Sequence, residues 1–443
     1  MNEITKKNKH INLSSECILK IILAIHYLIN LTCHLNGFYY LVIPSAIIMF
    51  YEIIKRLPKF IKQRKIDLFY LGLVLFCVSY LLTFAINPKY EIIGTLKIFI
   101  WTIIDFFFVF YCDAKKTKEQ LTKEMSLVLK IIIVIVTIIN IYGLSLLITN
   151  TNKYVNSFDG KVEIIGVTSW GRFVGDYYDT NYATIVCSCA ILFAMYFFKQ
   201  SKRVTHKILY ITSFVIQLIT IYYSQSRTGL ITLSVGIILY FILSIKSNKN
   251  MSFNKLILLL SCLIVIGSSI FILPKYILKI YNSTTNTTQI GRTDIGENKD
   301  LSNRRFDIWK SGFEIFCYNP VFGLGFPNIE KNALENFPTT YIVNNDLANF
   351  AAFHNMLIDI CVSQGIFGIC IVIYLVCVFI KKLKKFNKEE KVQNMLLSCI
   401  GAILVSSMVV SEIFFINNAC TFLFWLLLGY ENYYLSNKKE ERL

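Results

Sequence analysis

Charge is what this sequence has little of, and clustered carboxylates are missing altogether. Only 16% of its 443 residues are charged against 55% apolar, and Lys and Arg outnumber Asp and Glu 45 to 28. Such a composition excludes a soluble globule with one core and implies an all-α, polytopic integral membrane protein. The acids are scattered, with no Asp-x-Asp and no carboxylate cluster, so a divalent-metal mechanism has no ligand set and no metal or cofactor is expected. The thirteen cysteines offer neither a disulfide framework nor Cys/His metal spacing. Nearly all lie in apolar runs (Cys77, Cys187, Cys262, Cys370 and Cys399 among them), where a thiol behaves as a small hydrophobe. No internal repeat or low-complexity tract is visible, which gives no sign of an inverted-repeat transporter.

What is present is a series of apolar runs of about 17 to 25 residues, the length that crosses a hydrocarbon layer. Twelve spans are predicted, centred near Leu23, Ile43, Leu75, Ile104, Ile135, Leu192, Ile216, Ile237, Ile264, Ile371, Ile403 and Leu426. Basic residues collect in alternate connections (Lys55 to Lys65, Asp113 to Glu124, Lys199 to Lys207, Lys246 to Lys255, Lys381 to Lys391) and at both ends. These segments hold 29 of the 45 Lys and Arg residues against nine acids. Lys and Arg mark cytoplasmic loops, so the formal +17 is a topology signal. Spread thus, it argues against nucleic acid as a partner, which would need one contiguous basic surface. Both termini come out cytoplasmic. The first span follows a short polar segment with no small-residue cleavage signature and reads as retained. Residues 1–273 then hold spans one to nine with an external loop at 150–180. A large external loop fills 274–353, and 354–443 hold the last three spans and a cytoplasmic tail.

The large loop is the longest polar stretch, so chemistry is expected where it meets the lipid bilayer. It opens with a Ser/Thr/Asn-rich stretch, Asn282 to Thr288, of linker character. Phe306, Trp309, Phe313 and Phe316 then recur at helical spacing and predict an amphipathic helix. Ser302 or Asn303 would cap it, and Asn319-Pro320 would end it. A second short helix is expected from Asp346 to Phe353. Arg304 and Arg305 fall in the first turn of the amphipathic helix, where the dipole disfavours a cation. Either they hold an anion there, or they pair with Asp300 or Asp307. Arg227, in the hairpin Ser224-Gln-Ser-Arg-Thr-Gly229, must line a cavity or snorkel to headgroups. Arg172, in Gly171-Arg-Phe-Val-Gly175, is a third external arginine, and several on one face suggest a polyanionic ligand. His354 stands at the external mouth of a span, either as a proton acceptor or donor or as a satisfied polar cap. Lys97 and Asp105 share one span, and Glu412 is a reserve acid or base.

Ser226-Arg227-Thr228-Gly229, Arg305-x-x-x-Trp309, Pro320-Val-Phe-Gly323-Leu-Gly325, and His354-Asn355 followed by Gln364-Gly365-Ile-Phe-Gly368 occur in that order. In this the chain resembles the bacterial O-antigen polymerase and O-antigen ligase superfamily, over roughly Gly166 to Ile380. Arg172-x-x-Gly175 with Asp179-x-Asn181 is similar to the family's segment before the central spans, except that Thr180 stands where the family usually has proline. The resemblance implies a C-type glycosyltransferase fold and an undecaprenyl-pyrophosphate-linked oligosaccharide substrate at the outer face of the bacterial cytoplasmic membrane. It implies His354, Arg305 and Arg227 as catalytic residues. Arg172, Arg304, Asn181, Trp309 and Asn355 would bind pyrophosphate or glycan. A capsule or O-antigen repeat-unit polymerase is the first reading and a ligase its rival; a chain-length regulator would be a partner the sequence cannot name. From another class, a transporter or flippase would need charged or broken spans, to which Lys97, Asp105 and Lys130 are the only pointers.

Overall fold

The computed structural model describes residues 13–38, 40, 42–62, 67–157, 160–169, 171–244, 304–344 and 352–436. The span expected around Ile264, the linker stretch, Ser302 and Asn303, and most of the short helix expected at 346–353 lie outside these residues.

Eleven of the twelve predicted centres fall in helices: Ser15–Asn30, Val42–Lys62, Leu68–Ile86, Ile92–Ile104, Lys118–Ile148, Thr180–Gln200, Val204–Ser224, Arg227–Ser244, Met356–Leu383, Lys391–Ser406 and Ala419–Ser436. Among the described residues, seven helices are long and apolar enough to cross a membrane, the fourth by continuing through a π-helical turn, Asp105–Val109. The chain is a mostly helical polytopic membrane protein. One expectation needs correcting. The second helix only begins at Val42, so the span centred on Ile43 is displaced toward the basic residues Lys55 and Arg56, whose guanidinium lies 4.2 Å from the Tyr111 ring centre. Gly37 stands after the first helix with φ 85°, a backbone that glycine adopts readily.

Thr180–Gln200 is the central helix, with 78% of its apolar window buried. Val204–Ser224 and Met356–Leu383 bury only 22% each and turn Ile208, Leu209, Ile373 and Ile380 outward, an apolar exterior suited to lipid. The two ends of the bundle differ in chemistry. One is laced by ion pairs: Lys116 with Glu124 (2.7 Å) and Glu16 (3.4 Å), Lys118 with Glu390 (2.5 Å) and Lys382 with Asp67 (2.5 Å). The other gathers hydrogen-bonded loops. There Cys33 N donates to Asp176 O (2.6 Å), and Met356 N to Ser407 O (2.9 Å).

That second end also carries a small antiparallel sheet the sequence reading missed: β1 (Lys153–Asn156), β2 (Val162–Val167) and β3 (Phe173–Gly175), in the order β1-β2-β3. Tyr154 pairs with Ile164 and Val167 with Phe173. The sheet rests on the Lys118–Ile148 helix where a Cβ on Gly143 would stand 3.2 Å from the Gly175 Cα, a close approach of two backbones.

The loop motifs close on the Met356–Leu383 helix. That helix breaks at Gly365 (φ 62°, ψ −156°), which frees two carbonyls before the break and two N–H groups after it. The segment Pro320 to Gly325 satisfies all four. Leu324 N donates to Val362 O (2.8 Å) and Gly325 N to Ser363 O (2.9 Å), while Ile366 N donates to Pro320 O (2.8 Å) and Phe367 N to Val321 O (3.5 Å). Thr83 Oγ1 (2.6 Å) and Asn87 Nδ2 (3.0 Å) tie the carbonyls of Phe322 and Gly323 to the Leu68–Ile86 helix. A Cβ on Gly365 would lie 2.3 Å from Val321 O, so Gly365→Ala meets both a left-handed backbone and a clash. It should cost about 2–5 kcal/mol. Thermal unfolding in detergent checks this against Gly160→Ala, whose φ of 84° is similar but whose Cβ would meet nothing within 4 Å. Equal losses in the two variants would mean that the clasp bears no weight.

Candidate active site

The site grows from the turn between β2 and β3. Thr168 closes that turn with its N–H on Arg172 O (2.8 Å), and its hydroxyl accepts from Arg172 N (3.0 Å), which fixes the arginine backbone. The Arg172 guanidinium then donates to Ser224 O (Nε, 3.1 Å) and to Asn181 Oδ1 (Nη2, 3.1 Å). Asn181 Oδ1 also accepts from Ser226 Oγ (3.0 Å), and that hydroxyl in turn receives Gly229 N (3.2 Å) and caps the Arg227–Ser244 helix. Gly229 admits this packing because a Cβ would stand 2.3 Å from Thr184. Arg172 and Asn181 therefore weld the sheet, the central helix and the hairpin together, and set half-buried Arg227 as the first residue of its helix.

A second arginine heads a second helix, Arg305–Tyr318, which ends at Asn319 as predicted. Arg304 sits at its cap position with φ 62° and makes no side-chain cap. It is exposed and stands 3.6 Å from Asp307, so of the two readings open for Arg304 the ion pair is present in the structure. Arg305 is half-buried. The helix buries Ser311, Gly312 and Ile315 and leaves Phe306, Phe313 and Tyr318 more than 60% exposed, an aromatic flank of interfacial character. Trp309 packs edge-on against Phe306 at 5.3 Å, and its indole N–H, though shielded, has no acceptor among the described residues.

His354 faces these elements on a strained backbone, φ 53°. Its neighbours hold it there. Phe353 N donates to Asp359 Oδ1 (3.0 Å), and the Ser411 hydroxyl donates to the other oxygen of that carboxylate. Asn355 caps the Met356–Leu383 helix by accepting from Leu357 N (3.0 Å) and Ile358 N (3.3 Å), and its amide donates to Met408 O (3.1 Å). Asn355 thus has a complete set of structural bonds around the histidine. Burial first, then the Arg305 guanidinium, hold the His354 imidazole below its ordinary value, against the smaller opposing pull of Asp179. His354, Arg305 and Asp179 are therefore within electrostatic reach of one another. Asp179 is the N-cap of the central helix, accepting from Asn181 N (2.7 Å) and Tyr182 N (3.2 Å). The site combines fixed cations, a neutral imidazole able to take a proton, and a carboxylate that can stabilise the imidazolium so formed.

Two residues escaped the sequence reading. Asp359 and Ser411 are 2% and 1% exposed and position His354 without reaching the site. An acid one turn into an apolar run was the available signal for Asp359, since such a charge is costly without partners. Glu412, considered as a reserve acid or base, is wholly buried. Lys97 lies on the Ile92–Ile104 helix and Asp105 opens the π turn that follows it.

Residues 212–373 match the family model described as O-antigen ligase. Over this part of the chain the match supports the resemblance to the O-antigen polymerase and ligase superfamily. The matched segment includes Arg227, Arg305, Trp309, both halves of the clasp and His354, and is narrower than the resemblance first drawn, since Arg172 and Asn181 precede it. No curated protein matches the chain. That family is one of glycosyltransferase-like enzymes of polysaccharide biosynthesis.

Removing the Arg305 charge takes away one of the two influences that lower the His354 pKa, so Arg305→Met should raise it, whereas Asp179→Asn should lower it further. The pH dependence of diethylpyrocarbonate labelling at the His354 peptide, read by mass spectrometry, measures both. Unmoved titration in the two variants would separate these three groups.

Proposed function

We propose that the protein is a polysaccharide repeat-unit polymerase. It transfers an undecaprenyl-pyrophosphate-linked glycan onto the terminal sugar hydroxyl of another lipid-linked repeat unit, at the external face of the bacterial cytoplasmic membrane. The observation that carries this reading is the convergence of Arg305 and Asp179 on the half-buried, neutral His354, beside a hairpin in which Arg172 and Asn181 set Arg227.

In the proposed step the acceptor oxygen attacks the anomeric carbon and gives its proton to His354. The bond from that carbon to the pyrophosphate oxygen breaks, and the leaving group departs with the electron pair. Negative charge grows on the diphosphate as it leaves, and Arg227 and Arg305, each at the head of a helix, stabilise it where it develops. Attack opposite the leaving group inverts the anomeric centre. Arg172 acts through Asn181 and Ser224 as a support for the hairpin, and the Trp309 N–H, without an acceptor among the described residues, supplies a donor for glycan.

The family description favours a second reading, an O-antigen ligase that moves finished glycan to a different acceptor from the same donor site. Purified protein given only lipid-linked repeat units separates the two, because the polymerase lengthens them and the ligase does not. With repeat units supplied, Arg227→Ala, Arg305→Ala and His354→Ala should each slow transfer by about 10²–10³-fold. Wild-type polymer lengths from variants shown to be folded would remove those residues from the mechanism.

Orientation is checked separately, with cysteines placed on exposed positions at opposite ends. In intact cells Asn336→Cys should react with an impermeant maleimide, and Lys202→Cys should react only after permeabilisation. The reverse pattern would put the arginines on the cytosolic side.

A further inference from the structure

Lys97 is a charge in an apolar span that the transfer step proposed above does not use, and an ionisable residue in such a place is costly enough to mark function. Its helix begins at the end of the bundle that bears Arg305. There Glu91 N donates to Asn328 Oδ1 (3.0 Å), and Lys331 pairs with Glu91 (2.5 Å). From Ile92, the first residue of the helix, Lys97 is about 7.5 Å further along the axis. Two surfaces meet at this lysine. It is exposed, and shares a stripe with Ile93 and Ile100, one turn before and one turn after it, which are 83% and 43% exposed; this stripe faces lipid. It also lines a cavity of about 400 Å³, within the range of roughly 300–1,000 Å³ usual for small-ligand pockets. The cavity therefore borders the lipid at Lys97.

The chemistry of the wall suits an anion. Among the described residues that line it there is no Asp or Glu, and Lys97 is the only Lys or Arg. Lys89 and Lys331, nearer the helix start, are by contrast matched by acids, Glu335 (2.6 Å) and Glu91 (2.5 Å). Half-buried Asn36 and Asn417 add amides to the wall. Tyr27 donates its hydroxyl to Asn417 Oδ1, which commits that oxygen and leaves N–H donors as what Asn417 offers. A hydrocarbon tail alone would fill the space and strand the ammonium and the amides. A lipid phosphate meets both demands. Its oxygens accept from Lys97 and the amide N–H groups, and its chain can lie along the exposed Ile93, Leu96 and Ile100.

We infer that this cavity is a second lipid-phosphate site, in which Lys97 holds the phosphate of an anionic lipid. Which lipid it holds rests on the transferase reading above; the chemistry of the cavity does not. That reaction joins two lipid-linked repeat units. Arg227 and Arg305 serve the diphosphate that leaves, and the diphosphate that stays on the acceptor needs a cation of its own. A membrane phospholipid presents the same phosphate chemistry, and two probes separate these sources: polyprenyl diphosphate without glycan, which cannot react, and phosphatidylglycerol. Native mass spectrometry of the full-length protein in detergent counts the molecules bound. The wild type should hold two of polyprenyl diphosphate, and Lys97→Met, which suits the exposed apolar stripe, should weaken one of them by about tenfold or more, while Lys97→Arg keeps it. The Lys97-dependent molecule should persist when Arg227 and Arg305 are both replaced by Met. Preference of that site for polyprenyl diphosphate assigns it to the acceptor, and equal binding of phosphatidylglycerol assigns it to the surrounding membrane. Binding of both probes by Lys97→Met as by the wild type overturns the site, even if transfer proceeds normally. Lys97-dependent binding by a wild-type protein that lengthens no repeat units would instead overturn the transferase reading and leave the phosphate site standing.

Discussion

An interrupted helix in apolar surroundings must find partners for the peptide groups its break exposes, and here it finds them in a loop. The four groups freed at Gly365 are all met by the main chain of Pro320 to Gly325. Arg305 lies on the helix just before that segment and His354 just before the interrupted one, so one set of backbone bonds fixes the loop that bears the arginine against the helix that follows the histidine. The arginine hairpin is fixed by other means, through the Arg172 guanidinium and a shared Asn181 oxygen.

The electrostatics of the site follow from this crowding. A cation beside a histidine would be wasteful if the histidine were meant to be charged. Beside one meant to stay neutral, it reinforces what burial already does. Asp179 pulls the other way more weakly, so the imidazole can gain a proton without standing isolated in its charged form.

Much of this was legible in the sequence because it rests on period and spacing. Apolar runs gave the helices, and the basic connections fall at the end now seen to hold Lys116, Lys118 and Lys382 in ion pairs. The aromatic spacing from Phe306 gave the Arg305–Tyr318 helix to within a residue or two of its ends. The sheet was not legible, since β3 has only three residues and its pairing depends on a close approach to Gly143 far away in the chain. Nor was the capping role of Asn355, whose side-chain oxygen and nitrogen are both engaged in the structure. Met408, which accepts from its amide, lies some fifty positions further on, and no local pattern announces it.

Because the clasp is made of main-chain groups, it does not read the identity of most side chains it passes. Val321 is 45% exposed and Phe322 meets only the stacked ring of Phe367 among the aromatic contacts, yet the carbonyls of both are fully used. Over evolutionary time those two positions are free to drift in character while Gly323 and Gly365, where a Cβ would strike the facing backbone, cannot, so kinship in this part of the chain is to be sought in a sparse skeleton of glycines and turns.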